Sequence, residues 1–348
     1  MSAILKFIRD HHILAQIEQA KAKKKSRLNL NSHEIVDIPD LLYDCCEVQH
    51  LYLHSNKITT LSPELMNLVN VTTLTLDYNN ISALPPEIKN LKSLVNLNLS
   101  YNPLSILIPE IGELENLEAL WCNRIGLREL PKEIGKLQKL DTLGARGNEL
   151  KTIPEEISKL TKLRWLTLEH NHIEEVPDSV GDLQSLVHCN LRHNQVQQFP
   201  SALFRCKELM FLQLNDNQIS HMPSDIYDSY IASSVIECID MRGNPVCELT
   251  RPEHPAIRYT ELQHAPRAVV AAGSAAPRAD HRDRSPSNVD VESSSDESSE
   301  DWENSVTSSE LDVQYQNDED RLENELALFF QAIGLVLPEL SMFASSAS

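Results

Sequence analysis

Histidine and cysteine are the residues of this chain with the widest chemical repertoire, as metal ligands, bases or nucleophiles. The chain has 13 His and 7 Cys, but it contains no CxxC pair, and no ligand spacing links His54, His170 and His193. The motifs GxxxxGK[ST], GxSxG, HExxH and GxGxxG do not occur, and 9 Gly leave little for loops that cradle phosphates. We therefore predict no catalytic residues, no metal and no cofactor, and we expect a protein that is not an enzyme.

The charge distribution narrows the class of partner. The net charge of -20 argues against nucleic-acid binding, which needs clustered Lys and Arg. Fourteen acidic residues and the single basic Arg321 lie between positions 288 and 325. The segment that follows Met1 is interrupted by charged side chains, unlike a signal peptide. We expect a cytoplasmic protein with reduced thiols and no membrane contact.

The elements that would position any binding residues come from an internal repeat. Asparagine recurs at intervals of 23 residues, or of 46 where Ile125 takes its place, at positions 56, 79, 102, 148, 171, 194 and 217. His33 falls in phase before the series. Asn244 follows after 27 residues, which predicts a four-residue insertion at about 228–233.

Each asparagine sits in the frame LxxLxLxxNxL, followed by LPxxIxxL, and ten such frames fit between about residues 25 and 247. The alternation around LxL predicts a short strand with one buried face. The asparagine can satisfy backbone groups of its own turn and of the neighbouring one, and the proline ends the strand. No unit closes its own core, so the units must stack. The missing asparagine at Ile125 predicts a looser or bent solenoid there, or simple drift in a tolerant repeat.

This frame resembles the leucine-rich-repeat family, and its 23-residue LPxxI variant is similar to the intracellular Ras-group and Scribble/Erbin-type repeats. The resemblance covers about residues 25–248. It implies an α/β solenoid with a curved parallel sheet on the concave face and short helical or irregular convex segments. It also implies a protein partner such as a Ras-like GTPase or a phosphatase complex.

We predict four regions. Residues 1–24 form an amphipathic helix that caps the first repeat, the alternative being a helix on a membrane surface. Residues 25–250 form the solenoid of about ten repeats. Residues 251–316 form a disordered Ser-rich acidic linker, and residues 317–348 form an amphipathic helical tail. The linker carries four predicted phosphorylation sites, at Ser285, Ser293, Ser294 and Ser298.

The concave face is where we expect binding, at the third, fifth, seventh and eighth positions of each frame. Two of the 3 Trp fall there, Trp121 and Trp165, roughly 10 Å apart with Gly144 between them opening a shallow depression. Exposed Trp, Tyr and Arg dominate interface energies. The alternative is that the two indoles pack on each other. The predicted protein-binding residues are Trp121, Trp165, Arg146, Arg124, Arg192, Phe211, Tyr52 and Gly144.

These features predict an intracellular protein–protein interaction adaptor. The alternatives are a regulatory subunit of an enzyme or a substrate receptor of a ubiquitin ligase. A further hypothesis is that the acidic tail folds onto the concave arginines and inhibits binding.

Overall fold

The computed structural model describes residues 2–223, 235–248 and 255–260. The predicted helical tail, the four predicted phosphorylation sites and most of the predicted linker lie outside the described residues. The helix α1 spans Ser2–Ala22. The strands are β1 Arg27–Asn29, β2 His50–Tyr52, β3 Thr73–Thr75, β4 Asn96–Asn98, β5 Ala119–Trp121, β6 Thr142–Gly144, β7 Trp165–Thr167, β8 His188–Asn190, β9 Phe211–Gln213, β10 Cys238–Asp240 and β11 Ile257–Arg258.

The strands form one open parallel sheet whose order follows the chain from β1 to β11. Each of the ten predicted frames contributes one strand, so the predicted solenoid fold is confirmed. The middle residue of each strand points into the core, as Leu97, Leu120 and Leu143 do with no exposed surface. These leucines pair in register from one strand to the next. Because side chains alternate across a strand, the two flanking residues face the concave side.

The asparagines bond to neighbouring turns as predicted. Asn194 donates from Nδ2 to the carbonyl oxygens of Leu168 and Leu191, at 2.9 and 3.0 Å, and its Oδ1 accepts from the Ile173 amide at 3.0 Å. Two adjacent repeats are therefore joined by one buried side chain. These bonds give partners to buried backbone N–H and C=O groups at the point where the chain leaves the strand.

The convex side consists of short 3-10 helices that begin at the prolines of the LPxxIxxL segment. Pro131 has an extended backbone. The backbone amides of the buried Ile134 and Leu137 close the turn by donating hydrogen bonds to the carbonyl oxygens of Pro131 and Ile134. These helices span Asp40–Asp44, Pro63–Asn67, Pro86–Asn90, Pro109–Glu113, Lys132–Lys136, Glu155–Lys159, Asp178–Asp182, Ser201–Arg205 and Pro245–Glu248.

The two irregularities of the repeat leave the strand register intact. Ile125 is buried in the core, and β4, β5 and β6 pair without a slip beside it. The predicted insertion at 228–233 lies outside the described residues, and the register is intact after it, since Cys238 pairs with Phe211 and Asn244 donates to the Leu214 carbonyl at 2.7 Å.

The helix α1 packs on the first repeat through one face. Ile13, Ile17 and Ala20 are buried in the same core as Leu28 and Leu42. Two other apolar side chains of the helix face solvent, since Phe7 is 61% exposed and Leu14 is 37% exposed. No helix in the described ranges is both long enough and apolar enough to cross a membrane.

The predicted boundary at residue 250 is too early. The strand β11 pairs with β10, Ile239 lying opposite Ile257, and Ile257 and Tyr259 are buried. Residues 257–258, within the predicted disordered linker, therefore extend the sheet. The repeat frame does not predict β11, because the sequence of this strand lacks both the leucine pattern and the asparagine.

Candidate protein-binding surface

The concave face carries ordered rows of side chains, because the in-register strands place equivalent positions of successive frames side by side about 4.8 Å apart. The third and fifth positions begin and end each strand, and the seventh and eighth follow it. Trp121 occupies a fifth position and pairs with Gly144, whereas Trp165 occupies a third position and pairs with Thr142. The two indoles are thus offset diagonally, by two strands across and two residues along, rather than aligned.

An aromatic row crosses strands β7 to β9 at the third position. The Trp165 ring stacks on His188 with a centroid distance of 5.4 Å, and His188 lies tilted against Phe211 at 6.3 Å. Trp165 and Phe211 are half-buried, whereas His188 is buried between them. Burial lowers the pKa of His188 to about 4, so the imidazole is neutral at physiological pH and serves as an apolar ring.

Gly144 does not open a depression, contrary to the prediction. A Cβ atom at this position would lie 3.0 Å from Cδ1 of Trp121 and 3.2 Å from Oδ1 of Asn123. The indole of Trp121 therefore lies over the glycine, and Gly144 is buried. The glycine lets this ring lie close to the sheet while Trp121 itself stays half-buried.

Arg146 and Arg192 form a charge network around one buried acid that sequence reasoning missed. Glu169 is 3% exposed and lies between them, 3.7 Å from Arg146 Nε and 3.9 Å from Arg192 Nη1. Asn190 donates to its Oε2 at 3.2 Å. Arg192 also lies 3.7 Å from Asp216. Both guanidinium groups thus have acidic partners within the protein, and a ligand carboxylate would compete with them.

The eighth position of each frame forms the rim of the concave face, and its residues have left-handed backbones. Tyr78, Tyr101 and Arg124 have φ angles of 52°, 56° and 51°. Bulky residues rarely adopt this region. The rings of Tyr78 and Tyr101 stack at 4.1 Å and 10°, and the Arg124 guanidinium lies 5.7 Å from the centre of the Tyr101 ring. Arg124 therefore belongs to this rim, on the turn next to Arg146, whose carbonyl oxygen accepts from the Arg124 amide at 2.8 Å.

A second ring pair continues the rim. His170 and His193 stack at 4.2 Å, and each lies near a carboxylate, Glu169 at 3.3 Å and Asp216 at 3.6 Å. Burial lowers the pKa of His170, while Glu169 raises it. Among the described residues, no three His, Cys, Asp or Glu side chains are grouped to hold a metal ion.

Tyr52 does not offer the exposed ring that was predicted. Its side chain is only 4% exposed, and the Arg27 guanidinium lies 4.7 Å from the ring centre. At this end of the sheet, the Tyr52 side chain on the concave face is thus as buried as a core residue, and the neighbouring Arg27 guanidinium lies over its ring.

Sequence reasoning also missed Tyr78, Tyr101 and His188. The signal that marks them is the repeat itself: residues of one chemical type exactly one repeat apart, such as Tyr78 and Tyr101, are neighbours on adjacent turns.

The repeated strand, the asparagine bonds and the open parallel sheet define a solenoid, which is consistent with a protein-interaction domain. Family models match in three segments, "Leucine rich repeat" at 46–104 and 113–173 and "Leucine-rich repeat region" at 155–228. The chain belongs to the leucine-rich-repeat family. The LPxxI subtype stays a prediction. No curated protein matches the chain.

Solved structures share the fold. A leucine-rich-repeat protein from Leptospira interrogans is 27% identical with a TM-score of 0.59, over 71% of this chain and 69% of that one. The functional domain of InlJ from Listeria monocytogenes is 23% identical with a TM-score of 0.55, over 65% of this chain and 46% of that one. Internalin C2 from Listeria monocytogenes is 20% identical with a TM-score of 0.50, over 64% and 89%. The last two likenesses concern the fold alone.

Proposed function

We propose that this protein is a cytoplasmic adaptor that binds a protein partner through its concave face and catalyses no reaction. The observation that carries the proposal is the aromatic row Trp165–His188–Phe211, in which the half-buried rings of Trp165 and Phe211 flank the buried His188 on an open sheet. Aromatic side chains in such positions supply large apolar area with little entropy loss on binding.

We propose Trp121 and Trp165 as the main anchors and give Arg146 a supporting role. Arg146 is held by Glu169, so its contribution to binding is to orient the surface and to offer hydrogen bonds without a new ion pair. Desolvating a charge without a partner is costly, which favours a partner segment that presents apolar side chains to this surface. A Ras-like GTPase or a phosphatase complex remains the partner class implied by the family resemblance.

Proximity labelling in cells tests the proposal. The intact chain is compared with a Trp121→Ala/Trp165→Ala variant and with a control variant, Val69→Ala/Ile106→Ala, which removes exposed apolar side chains at other positions. We expect the tryptophan variant to lose a set of labelled proteins that the control variant keeps. Equal thermal unfolding midpoints would show that the fold is retained. Retention of every labelled protein by the tryptophan variant would contradict the proposal.

A further inference from the structure

The concave rows contain four carboxylates, of which three have cationic partners. Glu169 lies beside Arg146 and Arg192, Asp216 beside Arg192 and His193, and Asp240 accepts from Arg242 at 2.8 Å. The fourth is Asp77, at the seventh position after strand β3. Within the described ranges, no Lys, Arg or His side chain forms an ion pair with Asp77.

Asp77 is nonetheless half-buried, with uncharged or weakly basic neighbours. The equivalent positions on the adjacent turns are His54 and Ser100. His54 directs its Nδ1 to the hydroxyl of Ser55 at 3.1 Å. Burial raises the pKa of Asp77 to about 6, which reflects a carboxylate that lacks a compensating charge.

The residue after Asp77 adds an aromatic surface. Tyr78 is 53% exposed and stacks on Tyr101, whose other face is covered by Arg124. Ser55, whose amide donates to the Asp77 carbonyl at 2.9 Å, occupies the same eighth position on the preceding turn, so the side chain next to Tyr78 in that row is small. Burial and a hydrogen bond with Tyr101 raise the pKa of Tyr78 to about 12, so the phenol stays neutral.

The same fold twice places a guanidinium over a concave tyrosine, Arg27 over Tyr52 at 4.7 Å and Arg124 over Tyr101 at 5.7 Å. Among the described residues no guanidinium lies over the Tyr78 ring, and Asp77, the residue before it, adds a carboxylate that neither of those two pairs has. A guanidinium can stack on a ring and bond a carboxylate at the same time, which an ammonium group does less well.

We propose that Asp77 and Tyr78 form a binding site for an arginine side chain of a protein partner. This site lies on the rim at strands β2 and β3, apart from the tryptophan surface of strands β5 to β7. The strongly acidic chain as a whole favours the approach of a basic segment.

Selection from a displayed library of random peptides tests the site on the full chain at physiological salt. The wild type is compared with Asp77→Asn and with Glu155→Gln, which removes one exposed negative charge from a convex 3-10 helix. We expect arginine enrichment on the wild type and on Glu155→Gln, and its loss on Asp77→Asn. Equal arginine content in all three pools, or none on the wild type, overturns the proposal.

Calorimetric titration with one peptide selected on the wild type then measures separately how much the arginine charge and the Tyr78 ring contribute to binding. Replacing its arginine with uncharged citrulline, or Tyr78 with Ala, weakens binding about tenfold, whereas Tyr78→Phe retains it within about twofold. Equal binding by Tyr78→Ala and the wild type contradicts a role for the ring. The Trp121→Ala/Trp165→Ala variant keeps the affinity for this peptide if the rim site acts by itself, so this site and the proposed adaptor surface can fail independently.

Discussion

Replacing Asn171 with alanine removes one of the asparagines that join adjacent repeats. Its Nδ2 donates to the carbonyl oxygens of Ala145, Leu168 and Glu169, at 3.0, 2.9 and 3.2 Å. Its Oδ1 accepts from the Leu150 amide at 3.0 Å. The side chain is buried, so water does not readily replace these bonds.

The cost follows from which groups lose their only partner. Ala145 and Leu168 keep a second donor, because Asn148 and Asn194 also donate to these oxygens at 2.9 Å. The Leu150 amide loses its acceptor. A buried amide left without a partner costs about 2 kcal/mol and each of the three lost donations about 0.5 kcal/mol, so Asn171→Ala should lower the free energy of unfolding by about 3.5 kcal/mol.

Urea unfolding followed by circular dichroism measures this loss, with Asn70→Ala as the control. Asn70 is exposed and donates one hydrogen bond, to the Cys46 carbonyl at 2.8 Å, so its replacement should cost under about 1 kcal/mol. The reasoning is refuted if the two variants lose the same stability. At Ile125, the carbonyls of Leu99 and Cys122 that an asparagine would reach keep Asn102 and Asn148 as donors.

Three further predictions concern packing and pH. Gly135→Ala should lower the thermal midpoint, because its Cβ would lie 2.6 Å from the Glu156 carbonyl oxygen, whereas Ser158→Ala at the equivalent position of the next repeat should change it little; equal shifts would contradict this account. Because the folded-state pKa of Asp77 is raised from 3.8 to about 6, its contribution to stability falls as the pH rises through this window. Asp77→Asn should therefore raise the free energy of unfolding at pH 7 by about 3 kcal/mol and leave it unchanged near pH 3.5, as urea unfolding at both pH values would measure. Because the pKa of His188 is lowered from 6.5 to about 4, its contribution is complete above about pH 6.5 and is lost as the pH falls to about 4. His188→Phe should abolish that loss, and an unchanged pH profile by urea unfolding would count against the burial argument.

The stability cost of Asp77 bears on the proposed arginine site. A carboxylate that destabilises the fold at neutral pH is expected to persist where binding uses it. Glu169 differs from Asp77 in this respect, because Arg146 and Arg192 compensate its charge within the protein. We therefore expect Glu169 to serve the structure and Asp77 to serve binding.

The sequence alone determined the repeat, the register and the direction in which each concave side chain faces. The reason is that a 23-residue period and a two-residue alternation leave one way to bury every leucine. Even the four-residue insertion before Asn244 was readable, because the frame resumes in phase after it.

The tertiary structure alone decided how the concave side chains use one another. Trp121 covers Gly144, Arg27 covers Tyr52, and Glu169 holds Arg146. Such pairings depend on rotamers and on distances between turns, which the repeat frame leaves free. The strand β11 likewise forms because an open sheet edge offers unpaired backbone groups, and no leucine pattern is needed to satisfy them.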